Sequence, residues 1–302
     1  MRTVFMGTAE FACPCLEALA KLQTHQIVAV VTQPDRPQGR HLQLTPPPVK
    51  VLAQRLGLPL LQPATLQDDA IQQSIKELRP ELIVVVAYGL FLPKPILDLP
   101  PRGCINVHAS LLPRWRGAAP IQHAILAGDR QTGVTTMYLN ERMDAGDIIL
   151  QQSEPILPDD TAASLHDRLA RIGAALLVET LSLDNPPRRP QDESQATYAR
   201  KLTKQDGHIN WTKPAAEIER MIRAFDPWPG AHTFAGKTML KLWKARLRPE
   251  INLPAGLVGE NLVVGTGHGA LQILELQAEG GRRMAAEDFL RGHPQIVSTY
   301  LQ

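Results

Sequence analysis

The chain has 302 residues, of which 44% are hydrophobic and 21% charged, and its formal net charge is +2 at neutral pH. This length predicts two domains, each large enough to build a core, and the composition is typical of a globular protein. No apolar run approaches the roughly 20 residues that a membrane helix needs. The first residues, M-R-T-V-F-M-G-T-A-E-F, enter a predicted strand and not a signal peptide, so we expect a cytoplasmic protein.

The three cysteines fit the same compartment, because an odd and sparse set does not make a disulfide framework. Cys13 and Cys15 have one residue between them, and no further cluster of histidine or cysteine completes a zinc site. We therefore expect these two side chains to pack within a helix, and we expect no metal.

The first part of the chain alternates predicted strands with helices. Short apolar, β-branched runs occur at Thr3–Met6, Ile27–Thr32, Leu82–Ala87 and Cys104–Val107. An amphipathic segment near 10–22 separates the first two. This pattern predicts a Rossmann-like, doubly wound, mainly parallel sheet. Gly7 follows the first strand, but G-T-A-E-F lacks the later glycines of a dinucleotide fingerprint, which argues against NAD binding.

Residues 33–48 are too long and too rich in proline for a simple connection between two elements. Loops of this length are commonly lids or binding loops, although a surface excursion without a function is equally permitted. The sequence leaves both interpretations open.

Three polar residues follow or end the last predicted strand of this part. Asn106 and His108 are two apart, so they point to the same side of an extended strand end, and Asp144 lies in M-D-A-G-D at 143–147. An asparagine amide can donate to an oxyanion, a histidine can move a proton near neutral pH, and an aspartate can stabilise the charged imidazole. The trio is a complete set for acyl transfer. Residues 110–117 contain Pro113 and Gly117 and are predicted to form a loop.

The second part of the chain changes character after a predicted helix at 165–181 and a proline-rich, charged run, D-N-P-P-R-R-P-Q-D-E. A helix at 215–224 precedes short alternating runs near 231–234, 239–245, 262–264 and 271–276. These runs predict a smaller C-terminal β-barrel of the OB type. We expect domains at 1–187 and 205–302, with a basic linker at 188–204.

Basic side chains cluster in K-L-W-K-A-R-L-R, which contains Lys241, Lys244, Arg246 and Arg248. On a strand the last three fall on one face, which would suit phosphates. Basic strands are also commonly just solvated, and this pattern alone does not decide between the two.

The sequence closely resembles the family of methionyl-tRNA formyltransferases nearly from end to end. The resemblance is carried by T-Q-P-D-R-P at 32–37, V-V-V-A-Y-G-L at 84–90, N-V-H-A-S-L-L-P-R-W-R-G-A-A-P-I at 106–121, M-D-A-G-D at 143–147, Y-A-R-K-L at 198–202 and R-A-F-D-P-W-P at 223–229. The central motif with the aspartate motif is specific for folate-dependent formyltransferases. The motif at 223–229 and the chain beyond it narrow the family to the enzymes that act on tRNA.

The resemblance implies transfer of a formyl group from 10-formyltetrahydrofolate to the amine of initiator methionyl-tRNA, with Asn106, His108 and Asp144 as catalytic residues. Asn106 and His108 would donate to the oxyanion, and Asp144 would hold the imidazole and help to carry the proton. It places the folate along Ser110, Leu111, Leu112 and Pro113, with the backbone of Ala87, Tyr88, Gly89 and Leu90 and the 140–147 loop around the pterin.

Contacts to tRNA are expected from Arg40, Lys204, Lys241, Lys244, Arg246 and Arg248. The family usually has lysines just after the Gly-Arg pair of the 33–48 loop, whereas this chain has H-L-Q-L-T at 41–45. Fewer phosphate contacts predict a shallower salt dependence of tRNA binding. Trp115 is expected to pack against its neighbours, and Arg114 and Arg116 would meet the folate glutamate or tRNA phosphates, or lie unpaired at the surface.

Three other functions remain as alternatives. A formyltransferase of the same fold could act on another amine, such as an amino sugar nucleotide; a non-catalytic RNA-binding protein could retain a relic Rossmann-like domain; and a pyridine-nucleotide oxidoreductase would lack its glycine fingerprint. We expect a monomer, because no predicted surface is conspicuously apolar.

Overall fold

The computed structural model describes residues 1–38 and 43–302. The chain forms two compact units. Unit 1 comprises Met1–Gly117, Gln131–Pro155 and His166–Tyr198, and unit 2 comprises Ala118–Arg130, Ile156–Leu165 and Ala199–Gln302. Because the units alternate along the sequence, the domain limits expected at 187 and 205 stay a prediction.

The strands of the described residues are numbered β1 to β16 in chain order: Arg2–Gly7, Gln26–Val31, Arg36–Gln38, Gln43–Thr45, Leu60–Leu61, Leu82–Val86, Cys104–His108, Arg116–Gly117, Gln131–Tyr138, Ile148–Pro155, Tyr198–Ala199, His232–Ala235, Thr238–Arg248, Val263–Gly265, Ala270–Ala278 and Met284–Ala285. The helices of the same ranges are α1 to α8: Cys13–Ala20, Pro48–Arg55, Asp69–Glu77, Lys94–Leu97, Pro120–Ala127, Ala162–Ser182, Ala215–Ala224 and Ala286–Gly292.

Unit 1 contains a seven-stranded sheet in the order β10-β9-β7-β6-β1-β2-β5. Strands β5, β2, β1, β6 and β7 run parallel to one another, β9 pairs antiparallel with β7, and β10 pairs antiparallel with β9. The central strands are buried on both faces, which is why they read as continuous apolar runs, such as L-I-V-V-V in β6. The predicted Rossmann-like, mainly parallel sheet is confirmed, and the four predicted strands begin and end within one residue of the observed ones.

The long connection at 33–48 contains a short hairpin, in which β3 pairs antiparallel with β4. The predicted tRNA contact Arg40 lies outside the described residues, as do His41 and Leu42. The segment predicted as one helix near 10–22 begins with a 3₁₀ turn and continues as α1, where the Cys15 thiol is buried as expected for packing. Burial raises the pKa of Cys15 to about 12.

Unit 2 contains an antiparallel sheet in the order β12-β13-β15-β14, with β16 paired to β15. Its core includes Leu240 and Leu242 from β13, Leu271 and Ile273 from β15, and Phe289 from α8. The predicted small OB-like β domain is confirmed as a curled antiparallel sheet.

Strand β13 changes register against β15 on both sides of Lys244. Before this point Leu240 and Leu242 face the core, and after it Ala245 packs against the core. The inward face therefore passes from even-numbered to odd-numbered residues. Lys244 and Arg246 are exposed as a result.

None of the helices in the two described ranges is long and apolar enough to cross a membrane.

Candidate active site

Strand β7 places Asn106 and His108 on the same face of the sheet of unit 1. Asn106 lies between Val85 of β6 and Met137 of β9, and His108 lies opposite Thr135. Both side chains are buried. Val107 alternates to the other face, where a Cβ built on Gly173 of α6 would be 3.0 Å from its Cγ1 atom. The strand thus anchors the fold with one face and presents polar groups with the other.

The imidazole of His108 has one nitrogen engaged with the main chain. Its Nε2 atom is 2.9 Å from the carbonyl oxygen of Trp115. A carbonyl only accepts hydrogen bonds, so this geometry assigns a proton to Nε2. The other nitrogen, Nδ1, is 3.8 Å from Oδ2 of Asp144. That separation is too long for a hydrogen bond, so Asp144 acts on the imidazole through its charge.

Asp144 is held in the 140–147 loop by its main chain and by its carboxylate. Its φ is +47°, in the left-handed region. Its Oδ2 atom accepts a hydrogen bond of 2.8 Å from the backbone N–H of Gly117. Its Oδ1 atom makes no hydrogen bond to the part of the chain that the structure describes. One carboxylate oxygen is therefore fixed, and the other can accept a proton.

The loop can turn this tightly because of Gly146. A Cβ atom built at this position would lie 1.7 Å from the carbonyl oxygen of Tyr138. Only glycine permits such an approach of two backbones. The glycine of M-D-A-G-D is therefore part of the geometry that places Asp144.

The side-chain amide of Asn106 makes no hydrogen bond to residues 1–38 or 43–302, although Asn106 is only 8% exposed. The amide is not among the fully enclosed, unpaired polar atoms of the described residues, so it stays open to solvent or to a ligand. Such a group is suited to a ligand that brings the missing partner. An oxygen atom placed beside Asn106 would receive the amide N–H, as the oxyanion role requires.

The loop from Ser110 to Pro113, expected to contact folate, is fixed by hydrogen bonds. The Ser110 hydroxyl donates to the carbonyl oxygen of Arg114 at 2.6 Å, and the Thr135 hydroxyl donates to that of Ser110 at 2.7 Å. The amide of Gln151 donates to the carbonyl oxygen of Leu112 at 2.9 Å. The side chains of Ser110 and Leu112 are buried, so this loop can offer a ligand only its main chain and its half-buried members, Leu111 and Pro113.

In the second expected folate segment, Ala87–Leu90, the first two residues have carbonyl oxygens hydrogen-bonded to the described residues and the last two do not. The Tyr88 carbonyl oxygen accepts hydrogen bonds from the Thr8 hydroxyl and the Gln33 amide, both at 2.8 Å. Thr8 and Ala9 donate to the carbonyl oxygen of Ala87. Gly89 and Leu90 have no backbone hydrogen bond to the described residues. Their main-chain groups are the ones available to the edge of a planar ring.

The Tyr88 side chain is buried, and its hydroxyl has no partner in the described part of the chain. Burial raises the pKa of Tyr88 to about 12. The hydroxyl is therefore neutral at physiological pH, and Tyr88 would serve a ligand through its backbone position only.

The structure corrects the expectation for Arg116. It is neither unpaired at the surface nor free to meet an anionic ligand, because it is 1% exposed and paired within unit 1. Its guanidinium donates to Oε1 of Gln191 from Nε and Nη2, and to both carboxylate oxygens of Glu193. The Arg114 guanidinium lies 5.0 Å from the centre of the half-buried Trp115 ring.

Gln191 is a candidate functional residue that the sequence reasoning missed. It lies in the predicted linker, yet its side chain donates to the carbonyl oxygens of Asp144 and Gly146. A glutamine in a proline-rich and charged stretch carries no periodic signal. A single sequence therefore gave no means of finding it.

The expected tRNA contacts that the structure describes lie in unit 2. Lys241, Lys244, Arg246 and Arg248 lie on β13, whereas Lys204 begins a 3₁₀ turn at Lys204–Gly207. Lys204, Lys244 and Arg246 are exposed. Arg248 pairs with Glu250 at 2.6 Å. The structure thus gathers four of the six expected positions on one strand.

Within the described residues, no group of three or more histidine, cysteine, aspartate or glutamate side chains could hold a metal ion. The chemistry of the trio involves proton transfer and hydrogen bonding and needs no such group.

Comparison with known proteins gives two family matches. Residues 1–181 match the Formyl transferase family, and residues 201–294 match the family Formyl transferase, C-terminal domain. The methionyl-tRNA formyltransferase of Methylococcus capsulatus is 52% identical over 300 residues, which cover 97% of each chain.

Solved structures with a similar fold are more distant. HypX from Aquifex aeolicus in complex with tetrahydrofolic acid has a TM-score of 0.61 at 17% identity and covers 96% of this chain; the chain spans about half, 47%, of HypX. The N-formyltransferase from Helicobacter canadensis, in complex with folinic acid and dTDP-3-aminofucose, has a TM-score of 0.66 at 19% identity, covering 93% of this chain and 99% of that one. At these identities the likeness concerns the fold alone.

Proposed function

The chain belongs to the methionyl-tRNA formyltransferase family, and we propose that it transfers the formyl group of 10-formyltetrahydrofolate to the α-amine of methionine on initiator methionyl-tRNA, for translation initiation. The family resemblance expected from the motifs is confirmed by the identity over nearly the whole chain. The observation that carries the proposal within the structure is the Asn106 amide, which has no hydrogen-bond partner among the described residues and lies on the strand that also carries His108.

In the proposed reaction a C–N bond forms between the methionine nitrogen and the formyl carbon, and the bond from that carbon to N10 of the folate breaks. The proton lost by the amine is delivered to N10. Negative charge develops on the formyl oxygen, and Asn106 donates its amide N–H there.

His108 supports the same oxygen in its protonated form. Because Nε2 donates to Trp115, only Nδ1 is left to donate to a substrate. The Asp144 carboxylate, 3.8 Å from Nδ1, stabilises the imidazolium by its charge. The unengaged Oδ1 of Asp144 is the proposed acceptor for the amine proton on its way to the leaving nitrogen.

The donor is proposed to bind along Ser110–Pro113 and Ala87–Leu90. The main-chain groups of Gly89 and Leu90 would pair with the edge of the pterin, and the half-buried Leu111 and Pro113 would cover its face. The tRNA is proposed to contact Arg40, Lys204 and the basic residues of β13. We further propose a monomeric, cytoplasmic enzyme with a catalytic domain at 1–187, a linker at 188–204 and a tRNA-binding domain at 205–302.

The test is single-turnover transfer of formyl from 10-formyltetrahydrofolate to initiator methionyl-tRNA, with elongator methionyl-tRNA and free methionine as controls. Selective transfer to the initiator species is the expected result. Transfer to an amino sugar nucleotide instead, with none to tRNA, would assign the chain to the alternative reaction. Folate binding without transfer to any of these amines would refute the proposed acceptor.

A further inference from the structure

We propose that Gln191 is a positioning residue for this reaction: with Arg116 it fixes the turn that carries Asp144. The proposal rests on the proposed function and assigns part of the supposed linker to the catalytic machinery of unit 1. We name residues 188–193 the strap.

The Gln191 amide has no unused hydrogen-bonding capacity. Nε2 donates to the carbonyl oxygen of Asp144 at 2.9 Å and to that of Gly146 at 2.8 Å. Oε1 accepts from Nε and Nη2 of Arg116 at 3.0 and 2.8 Å. Two donor hydrogens and two acceptor positions are therefore all used, so the orientation of the amide is fixed. A side chain saturated in this way holds the groups that it joins in one arrangement.

Arg116 closes the arrangement from the other side. Its guanidinium is buried and orients Gln191, while the backbone N–H of the next residue, Gly117, donates to the Asp144 carboxylate at 2.8 Å. The pair 116–117 thus acts on the carboxylate directly and on the Asp144 main chain through Gln191. Glu193 also binds the Arg116 guanidinium, which holds the pKa of the Glu193 carboxyl below its usual value.

Other residues of the strap reach the same loop. The Arg188 guanidinium lies 3.6 Å from the centre of the Tyr138 ring and 3.7 Å from the carboxylate of Asp147. Arg189 and Ile148 exchange two backbone hydrogen bonds, at 2.8 and 3.1 Å. Glu193 pairs with Arg142 of the loop at 3.4 Å. The strap is therefore attached to the loop and to the strand that follows it, and Gln191 is the strap residue that contacts the main chain of Asp144.

The turn needs such a contact because the backbone of Asp144 is left-handed, a conformation that a non-glycine residue holds only when its surroundings impose it. Misplacing a catalytic group by about 1 Å can cost on the order of 10²-fold in rate. Loss of the Gln191 bonds would release the turn while leaving every trio side chain present.

The decisive variant is Gln191→Glu. It retains an acceptor for Arg116, but it replaces the two donors that face Asp144 and Gly146 by an oxygen. The matched control is Gln195→Glu, because Gln195 is exposed and donates to Asp192 at 2.7 Å without touching the loop. In single-turnover formyl transfer we expect Gln191→Glu to be about 10- to 100-fold slower, with dissociation constants for folate and tRNA within about threefold of the parent, and Gln195→Glu to be unchanged.

A role through Asp144 is distinguished from a merely structural role by repeating Gln191→Glu in an Asp144→Asn background. If Gln191 acts through Asp144, its substitution should slow that variant by less than about threefold. An equal loss in both backgrounds would overturn the proposal, and so would a Gln191→Glu enzyme as fast as the parent. Gln191→Met, which removes all four bonds without adding a charge, should slow the parent similarly, and it replaces Gln191→Glu if the latter fails to fold.

Amide hydrogen exchange makes the proposal testable without the reaction. We expect faster exchange within 142–147 in Gln191→Glu than in Gln195→Glu, because the turn loses its contact. Failure of the parent chain to formylate any amine would refute the proposed function, whereas unchanged exchange would refute the role of the strap.

Discussion

Replacing Asn106 by alanine should separate catalysis from stability. The structure gives the amide no partner among the described residues and leaves the residue 8% exposed. Loss of one oxyanion donor costs about 10²- to 10³-fold in rate, which corresponds to roughly 2.7–4 kcal/mol. Because the amide makes no hydrogen bond to the described residues and stays open to solvent, its removal breaks no hydrogen bond that holds the fold. We therefore expect an enzyme slower by two to three orders of magnitude that unfolds at nearly the same temperature as the parent.

Two measurements on one preparation check this prediction: the single-turnover rate of formyl transfer, and the unfolding transition by differential scanning calorimetry. The control is Val107→Ala on the same strand, which removes two buried methyl groups from the opposite face. We expect it to be destabilised by about 2 kcal/mol and to keep its rate within a few-fold below the transition. A parallel fall in rate and stability for Asn106→Ala would refute the reasoning, since the amide would then be holding the fold.

Three further predictions concern other parts of the molecule. Gly146→Ala forces a Cβ into a facing carbonyl oxygen and should lower the rate of formyl transfer at least ~10²-fold. Gly292→Ala, with open space around it, should leave this rate unchanged, and equal rates for the two variants would contradict the prediction. Lys244→Ala should weaken tRNA binding at low salt and make the slope of log affinity against log salt shallower by about 0.7–0.9, and an unchanged slope would remove Lys244 from the interface. Arg200 holds the pKa of the Asp206 carboxyl well below its usual value, so this pair stabilises the fold above about pH 4 and loses its effect as pH falls further. Asp206→Asn should therefore be less stable than the parent at pH 7, and the difference in the free energy of unfolding should narrow in acid. A difference that stays constant with pH in urea unfolding would refute this.

The sequence predicted the parallel strands and the trio because each rests on a local signal. β-Branched apolar runs are what a strand buried on both faces requires, and Asn106 and His108 share a face through the period of two along a strand. The aspartate motif could be singled out because the resemblance covers it. These features depend on neighbours in sequence.

The features that escaped prediction depend on groups distant in sequence. Strands β9 and β10 were not predicted, since Q-T-G-V-T-T-M-Y has a glycine where a strand normally has a side chain. A Cβ at Gly133 would lie 2.1 Å from the carbonyl oxygen of Gln152 on the facing strand, so the glycine is required by the pairing itself. Arg116 and Gln191 are 75 residues apart, and the local sequence around either residue does not predict their hydrogen bonds.

The change of register in β13 has a consequence for how its charges are distributed. Lys241 is odd-numbered, and Lys244, Arg246 and Arg248 are even-numbered, so a regular strand would send the first to one side and the others to the opposite side. Because the inward face changes parity between them, all four project away from the core. A deletion of one residue at this point would cancel the switch and turn the last three cations toward Leu271 and Ile273. The irregular pairing therefore allows one strand to contribute Leu240, Leu242 and Ala245 to the core and still collect its positive charge on the other side.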